Sequence, residues 1–214
     1  MSDAERLQNH PDPEDLATPL RSLGTTISYA KDKEIFGQGE PADRVYLVLS
    51  GVVRTTRVLC DGRRQVGGFY YAGDLIGVEH GPVHRFAAEA VMDAALGTVG
   101  RASLKAIGRE AELERLLWDA TRRELERAQD HLELLARKSA RERVARFLVE
   151  IAQRDGSQGA LLPMSRQDIG DYLGLTIETV SRMLTQLQSG SVVQFESHRR
   201  FTIKKHEVLA EMVA

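Results

Sequence analysis

The chain has 214 residues, of which 42% are hydrophobic, with 29 lysines and arginines against 31 aspartates and glutamates. This length and composition exclude wholesale disorder and favour two compact domains. No apolar run approaches the ~20 residues of a membrane helix, nothing resembles a secretory signal, and the single cysteine, Cys60, excludes an internal disulfide, so we expect a cytoplasmic protein.

The N-terminal half predicts a leader followed by an antiparallel β-roll. Residues 1–20 hold three of the six prolines and predict a flexible leader. Residues 21–105 alternate β-rich runs with turns at nearly even spacing, marked by Gly39, Gly51, Gly62 and Gly73. Asp61-Gly62 lies between two extended arms and predicts a hairpin, beside which we expect Cys60 to be exposed.

A long helix is predicted next, at residues 106–137, because the text is rich in Leu, Glu, Arg and Ala with apolar residues at helical spacing. We interpret its stripe as a parallel dimer seam formed by Leu113, Leu117, Ala120, Glu124, Ala128, His131, Leu132 and Leu135. The alternative is that the stripe packs on its own β-roll, and both can hold for different turns. The apolar phase shifts near residues 137–140, which predicts a hinge.

Residues 138–214 predict a winged helix-turn-helix: a helix, two short helices joined by a glycine turn, and a strand pair. Ser165 and Asp168 match a capping box, Gly174 supplies the positive φ of the turn, and Thr176 can cap the second helix. In the first short helix Ile169, Tyr172 and Leu173 face inward. The second helix has an apolar face of Val180, Met183, Leu184 and Leu187.

The polar face of that second helix begins at its first turn, where a recognition helix presents side chains to base edges. Arg182 matches guanine O6 and N7, Glu178 can accept from the cytosine amine, and Ser181 can touch a thymine methyl or a base edge. We expect phosphate contacts, which carry no sequence information, from Arg166, Gln167, Thr176, Thr179, His198, Arg199 and Arg200. A solvent-exposed ion pair between Glu178 and Arg182 is the structural alternative.

The charge distribution agrees with DNA binding. Residues 137–205 contain 12 lysines and arginines against 7 aspartates and glutamates, whereas the remainder has 17 against 24. A basic module on an acidic chain is typical of a phosphate-binding domain.

These motifs identify a resemblance to the CRP/FNR superfamily of bacterial transcription regulators over nearly the whole chain. The stretch "LPMSRQDIGDYLGLTIETVSR" resembles the FixK and FNR branch, and "GQGEPADRVYLVLSGVVR" resembles the superfamily's β-roll, which is cyclic-nucleotide-binding-like. The resemblance implies an α+β fold, a homodimer joined along the long helix, and a TTGA-N6-TCAA-type palindrome read by Glu178, Ser181 and Arg182. Ile177 replaces the arginine usual in the cAMP-binding branch. The resemblance also implies an activator that contacts RNA polymerase.

Departures from the family bear on the effector. Residues 1–30 contain no cysteine for an iron–sulfur cluster, and where the cAMP-binding branch has a glutamate and an Arg-Ser pair, this chain has Val78 and Arg85-Phe86. We therefore expect no cofactor and neither a cyclic nucleotide nor an iron–sulfur cluster. A haem-dependent gas sensor is the alternative, with His80, His84 or His131 as axial ligand. A redox switch at Cys60 is a further alternative.

A different class of function is a protein-interaction module that does not bind DNA. Salt dependence separates the two, because DNA binding weakens steeply as salt rises. We expect no enzyme, since the sequence lacks a Ser/His/Asp set, a P-loop and metal-ligand spacing, and we predict no catalytic residue and no metal site.

Overall fold

The computed structural model describes residues 24–79, 81–106, 110–137, 139–155, 160–197 and 199–213. The predicted leader, residues 1–20, lies outside this part of the chain. The chain divides into two compact units, residues 1–63 with 67–125 and residues 64–66 with 126–214. This division falls inside the long helix. The sequence predicted residues 106–137 as a separate segment, whereas the structure divides them between the two units. The exact domain boundaries stay a prediction.

The first unit contains the predicted β-roll, and the α+β class is confirmed. Its two four-stranded sheets have the orders β1-β8-β3-β6 and β2-β7-β4-β5, with antiparallel pairing wherever a register is defined. The strands are β1 (Thr25–Tyr29), β2 (Glu34–Phe36), β3 (Arg44–Ser50), β4 (Val53–Val58), β5 (Arg64–Tyr70), β6 (Leu75–Ile76), β7 (Ala87–Ala90) and β8 (Ala94–Gly100).

The evenly spaced glycines are the turns between these strands. All four have positive φ: 86° at Gly39, 83° at Gly51, 81° at Gly62 and 93° at Gly73. The Asp61-Gly62 hairpin forms as predicted, with the Leu59 N–H donating to the Arg63 carbonyl at 2.9 Å. Cys60 is exposed beside it. Between the sheets lies an apolar cluster that includes Phe36, Val48, Val53, Ile76 and Leu96.

Two helices follow the β-roll, α1 (Arg101–Ala106), which the sequence did not predict, and α2 (Glu110–Arg137), the predicted long helix. Within the first unit, Leu117 and Ala120 are 8% and 7% exposed and pack with Val45, Leu47 and Leu75 of the β-roll. Both were assigned to the dimer seam. The β-roll covers both side chains. At this turn of the helix the apolar stripe therefore packs on its own β-roll, which was the alternative to the dimer seam.

The remaining seam residues have different surroundings. Glu124 accepts a hydrogen bond from the Tyr70 hydroxyl at 2.9 Å, and His131 contacts Tyr172, so both have partners within their own chain. Leu135 is half-buried, whereas Ala128 and Leu132 are exposed. The side chain of Leu113 lies outside the described part. Three large apolar side chains along α2 are exposed: Trp118, Leu125 and Leu132, at 71%, 58% and 69%. Of these, the sequence assigned only Leu132 to the seam.

The second unit is the predicted winged helix-turn-helix. Helix α2 ends at Arg137 and α3 begins at Ala140, where the phase shift predicted a hinge. The unit then contains α3 (Ala140–Asp155), β9 (Ala160–Leu161), α4 (Arg166–Leu173), α5 (Ile177–Ser189), β10 (Val193–Ser197), β11 (Arg200–Ile203) and α6 (His206–Val213). The wing strands β10 and β11 pair antiparallel, and β9 adds a third strand that the sequence did not predict.

No helix in the described residues is long and apolar enough to cross a membrane.

Candidate nucleic-acid interface

The first helix of the helix-turn-helix, α4, begins with the predicted capping box. The Asp168 N–H donates to the Ser165 hydroxyl at 3.0 Å, and the Ser165 N–H donates to Asp168 Oδ2 at 3.1 Å. Two main-chain donors that a helix start leaves without intrahelical partners are thereby satisfied. Arg64, one of residues 64–66 of this unit, donates to Asp168 Oδ1 at 2.6 Å and to Asp171 Oδ2 at 2.8 Å.

The turn between the two helices depends on glycine at two positions. Gly174 adopts φ 64°, the left-handed conformation that ends a helix with little strain only for glycine. Its N–H and that of Leu175 both donate to the Gly170 carbonyl. A Cβ on Gly170 would lie 2.7 Å from the Leu175 carbonyl oxygen, so the chain can reverse this closely only past a residue without a side chain.

The second helix, α5, has the two faces that the sequence predicts. Val180, Met183, Leu184 and Leu187 are all buried, and with Ile169 and Leu173 of α4 they belong to the buried core of the unit. Thr176 caps the helix, because its hydroxyl accepts from the Thr179 N–H at 3.3 Å. The apolar face thus fixes which side chains point outward.

Glu178 and Arg182 lie on the exposed face, and Ser181 between them is half-buried. In the part of the chain that the structure describes, Glu178 and Arg182 do not form an ion pair, so the structural alternative for this pair is not observed. The main-chain N–H at Glu178 and the Thr176 hydroxyl lower the pKa of the Glu178 carboxyl, which therefore stays ionised and accepts hydrogen bonds only. An exposed acceptor and an exposed donor thus lie one turn apart in the first half of the helix.

The predicted phosphate-contacting residues occupy the ends of the neighbouring elements. Arg166 and Gln167 are exposed in the first turn of α4, and Gln167 donates to Asp171 Oδ1 at 2.6 Å. Thr176 and Thr179 form the cap of α5. Arg199 and Arg200 are exposed at the β10–β11 turn of the wing, whereas His198 lies outside the described residues. The capped starts of α4 and α5 present main-chain N–H groups, which favour anions such as phosphate.

Two side chains that sequence reasoning did not assign to DNA binding hold the end of α4. Arg143 of α3 donates to the Leu173 carbonyl at 3.0 Å and to the Leu135 carbonyl at 2.8 Å. His131, predicted as a seam residue, contacts the Tyr172 carbonyl at 2.7 Å through Nε2. No sequence signal could have found these contacts, because their partners are main-chain atoms, most of them 30 or more residues away.

In the β-roll, the loop where the family's cyclic-nucleotide site would lie has an unsuitable set of side chains. Arg85 is exposed, and the Phe86 ring lies against Gly67 of β5, where a Cβ would come within 2.8 Å of it. The Arg57 guanidinium lies 5.2 Å from the centre of the Phe86 ring. An aromatic ring offers no donor for a phosphate, so these residues do not fit a cyclic nucleotide.

Comparison with known proteins agrees with both units. A family model described as a Crp-like helix-turn-helix domain matches residues 142–212, and one described as a cyclic nucleotide-binding domain matches residues 26–110. The nitrogen fixation regulation protein FixK of Azorhizobium caulinodans is 45% identical over 203 residues, covering 92% of this chain and 82% of that protein. The chain belongs to the FixK-like branch of the CRP/FNR regulators.

A second relative and a solved structure support the assignment to FixK-like regulators. The FixK protein of Rhizobium meliloti is 42% identical over 195 residues, covering 91% of this chain and 90% of that protein. The structure of FixK2 from Bradyrhizobium japonicum superposes with a TM-score of 0.84 at 48% identity, covering 90% of this chain and 98% of that one. The chain is therefore a transcription regulator with a helix-turn-helix DNA-binding domain, and its family is not one of enzymes.

Proposed function

We propose that this FixK-like regulator acts in the cytoplasm as a homodimeric activator that binds a TTGA-N6-TCAA-type palindrome and contacts RNA polymerase. The exposed face of α5 carries the proposal: Glu178 and Arg182 are both exposed, the pKa of the Glu178 carboxyl is lowered, and the opposite face is buried. Together they match a C·G pair, with the guanidinium on guanine O6 and N7 and the carboxylate on the cytosine amine. The palindrome places two such faces one helical turn, about 34 Å, apart.

The dimer is supported by the apolar side chains that α2 leaves exposed. Trp118, Leu125 and Leu132 are seven residues apart, and Ala128 lies half a heptad between the last two. A strict seven-residue repeat of apolar residues on one helix is typical of a two-stranded coiled coil. This proposal keeps Ala128 and Leu132 in the seam and replaces the buried Leu117 and Ala120 with the exposed Trp118 and Leu125.

Action without a small effector is supported by the β-roll loop. Phe86 occupies the position where a hydroxyl would hold a phosphate, and its ring lies against Gly67, whereas Arg85 is exposed. Of the histidines considered as haem ligands, His84 is 2% exposed, stacks on Phe36 at 3.8 Å between ring centres, and places Nδ1 3.2 Å from Glu79 Oε2. His131 is engaged with Tyr172, and His80 lies outside the described residues.

The test is quantitative DNA binding by the purified protein without additives, against a TTGA-N6-TCAA duplex and a duplex with the same bases scrambled, with an absorption spectrum of the same sample. We expect selective binding that weakens steeply with salt, and no visible chromophore. A Soret band would establish the haem-dependent alternative. Equal, salt-independent behaviour on both duplexes would instead indicate a protein-interaction module.

Activation is tested separately by transcription in vitro from a promoter that carries the palindrome upstream of the polymerase site. We expect added protein to raise the yield of the transcript and to leave a promoter with the scrambled site unchanged. A lowered yield from the palindrome promoter would show a repressor.

A further inference from the structure

The C-terminal end of α4 is held by side chains from outside the helix-turn-helix. The last four carbonyl groups of a helix have no intrahelical donor. Tyr172 and Leu173 carry two of these in α4, and each accepts a hydrogen bond, from His131 Nε2 at 2.7 Å and from Arg143 Nη1 at 3.0 Å. Since a carbonyl can only accept, the proton of this contact lies on His131 Nε2.

The same arginine reaches back to the end of α2. Its Nη2 donates to the carbonyl of Leu135, one of the last four residues of that helix, at 2.8 Å. The His131 ring also stacks on Tyr172, with 4.1 Å between ring centres and 12° between the planes. Two side chains thus join three carbonyl groups at the ends of two helices. We call Arg143 and His131 with these carbonyls the clasp.

The clasp lies directly before the recognition helix. Tyr172 and Leu173 precede the cap residue Thr176 by four and three positions, and the turn between them contains Gly174. A Cβ on Gly174 would lie 3.7 Å from both Arg143 Nη1 and Leu135 Cδ2, so α2 and α3 also approach the turn itself. The direction in which α5 leaves the turn is therefore tied to the end of α2.

We propose that Arg143 and His131 are positioning residues for DNA reading. They fix the angle between the last turns of α2 and the recognition helix, and so the separation of the two recognition helices in a dimer joined along α2. The predicted effect on DNA binding rests on the proposed binding to a palindrome. The predicted effect on the angle between the helices does not.

A positioning role is distinct from a role in holding the module together. The core of the helix-turn-helix is formed by fully buried apolar residues such as Leu173, Val180 and Leu187, and both clasp side chains are only half-buried. The two terminal nitrogens of the Arg143 guanidinium donate to two carbonyl groups at once. A lysine in its place would keep the positive charge, but its single ammonium group lacks this two-point geometry. Arg143→Lys should therefore leave the module folded and loosen the angle.

The first experiment measures the angle within one chain. Spin labels are placed on two exposed positions, Gln129→Cys in α2 and Gln188→Cys in α5, in a Cys60→Ser background, and labelled protein is diluted with unlabelled protein so that only distances within a chain are seen. We expect one narrow distance distribution, clearly broadened by Arg143→Lys and by His131→Phe, which keeps the ring and removes the donor. The matched control is Arg141→Lys, an exposed arginine on the same helix.

The second experiment measures binding to TTGA and TCAA half-sites separated by five, six or seven base pairs, well below the melting temperature of every variant. We expect the unsubstituted protein to prefer six, and Arg143→Lys to lose about tenfold at six and much less at five and seven, about the effect of one charge-assisted hydrogen bond. The Arg141→Lys variant should keep the full preference.

The outcomes separate the two proposals. If the unsubstituted protein does not select the palindrome, the proposed function fails, and the distance measurement alone decides on the clasp. An unchanged distance distribution in Arg143→Lys overturns the clasp, as does an equal loss of affinity at all three spacings.

Discussion

The dimer seam gives the sharpest test, because the same substitution can be made at two leucines on α2 whose surroundings differ. Leu132 is 69% exposed, and Leu117 is 8% exposed against the β-roll. We predict that Leu132→Ala weakens the dimer and leaves the stability of the single chain nearly unchanged, whereas Leu117→Ala lowers the stability of the first unit and leaves the seam intact.

The expected size follows from the area that remains to be buried. Alanine has three carbons fewer than leucine, and each buried carbon contributes about 0.8 kcal/mol. About two thirds of the Leu132 side chain is exposed in the single chain, so a partner can still gain ~1.6 kcal/mol from these carbons. A twofold seam counts this twice, which gives ~3 kcal/mol, or roughly a hundredfold in the dimer Kd. Leu132→Glu adds the cost of desolvating a charge and should yield monomers at micromolar concentration.

The assay is sedimentation equilibrium over a range of protein concentrations, with a urea unfolding curve for each variant. For Leu117→Ala we expect a loss of about 2–5 kcal/mol in the free energy of unfolding. A dimer Kd for Leu132→Ala within threefold of the unsubstituted protein would refute the seam. If Leu117→Ala alone dissociated the dimer, the original assignment of this residue to the seam would be restored.

Three further predictions concern the DNA-binding unit. Arg182→Ala should cost about 1–3 kcal/mol of binding free energy on duplexes with the guanine of the half-site and remove the discrimination at that position. Arg199→Ala should weaken binding to all duplexes alike. Equal losses of affinity from both variants on every duplex would contradict the division into base and phosphate contacts. Gly174→Ala should lower the free energy of unfolding by about 1–2 kcal/mol in urea, because φ 64° crowds a Cβ, and an unchanged midpoint would show that the turn relaxes. Burial lowers the pKa of His131 in the folded protein, so the fold favours the neutral ring. This contribution to stability is fully present above the ordinary histidine pKa, and it is lost as the pH falls through the lowered pKa of the folded state. His131→Gln should therefore lose less stability than the unsubstituted protein between about pH 7 and pH 5, measured by urea unfolding, and parallel losses would contradict the assignment.

Local signals in the sequence were sufficient for the helix-turn-helix. Ser165, Gly174 and Thr176 each perform the capping or turn role that their residue type favours, and the buried face of α5 follows from its 3.6-residue period. These features depend on neighbours within four residues. Four of the β-roll turns were predictable for the same reason, since each contains a glycine with positive φ.

Contacts between distant segments were not predictable in the same way. A stripe of leucines shows that α2 has apolar faces, but its period does not say whether the β-roll or a second chain covers each face. Leu117, which the sequence assigned to the seam, packs on the β-roll. Phe86 could be seen to replace a hydroxyl, but not that its ring packs on Gly67. The two-residue strand β9 and the contacts of Arg143 carry no periodic or motif signal at all.

The arrangement around the turn separates structural from DNA-reading residues. The main-chain groups there are satisfied by residues other than Glu178 and Arg182: the Ser165 hydroxyl at the start of α4, Arg143 and His131 at its end, and the Gly170 carbonyl inside the turn. Glu178 and Arg182 are exposed and take no part in the buried core. Substitutions at these two positions should consequently change which base pair is read while leaving the helix at the same angle, whereas changes in the clasp should alter which spacing is read while leaving the preferred bases unchanged. We therefore predict that base preference and spacing preference depend on separate residues of one module.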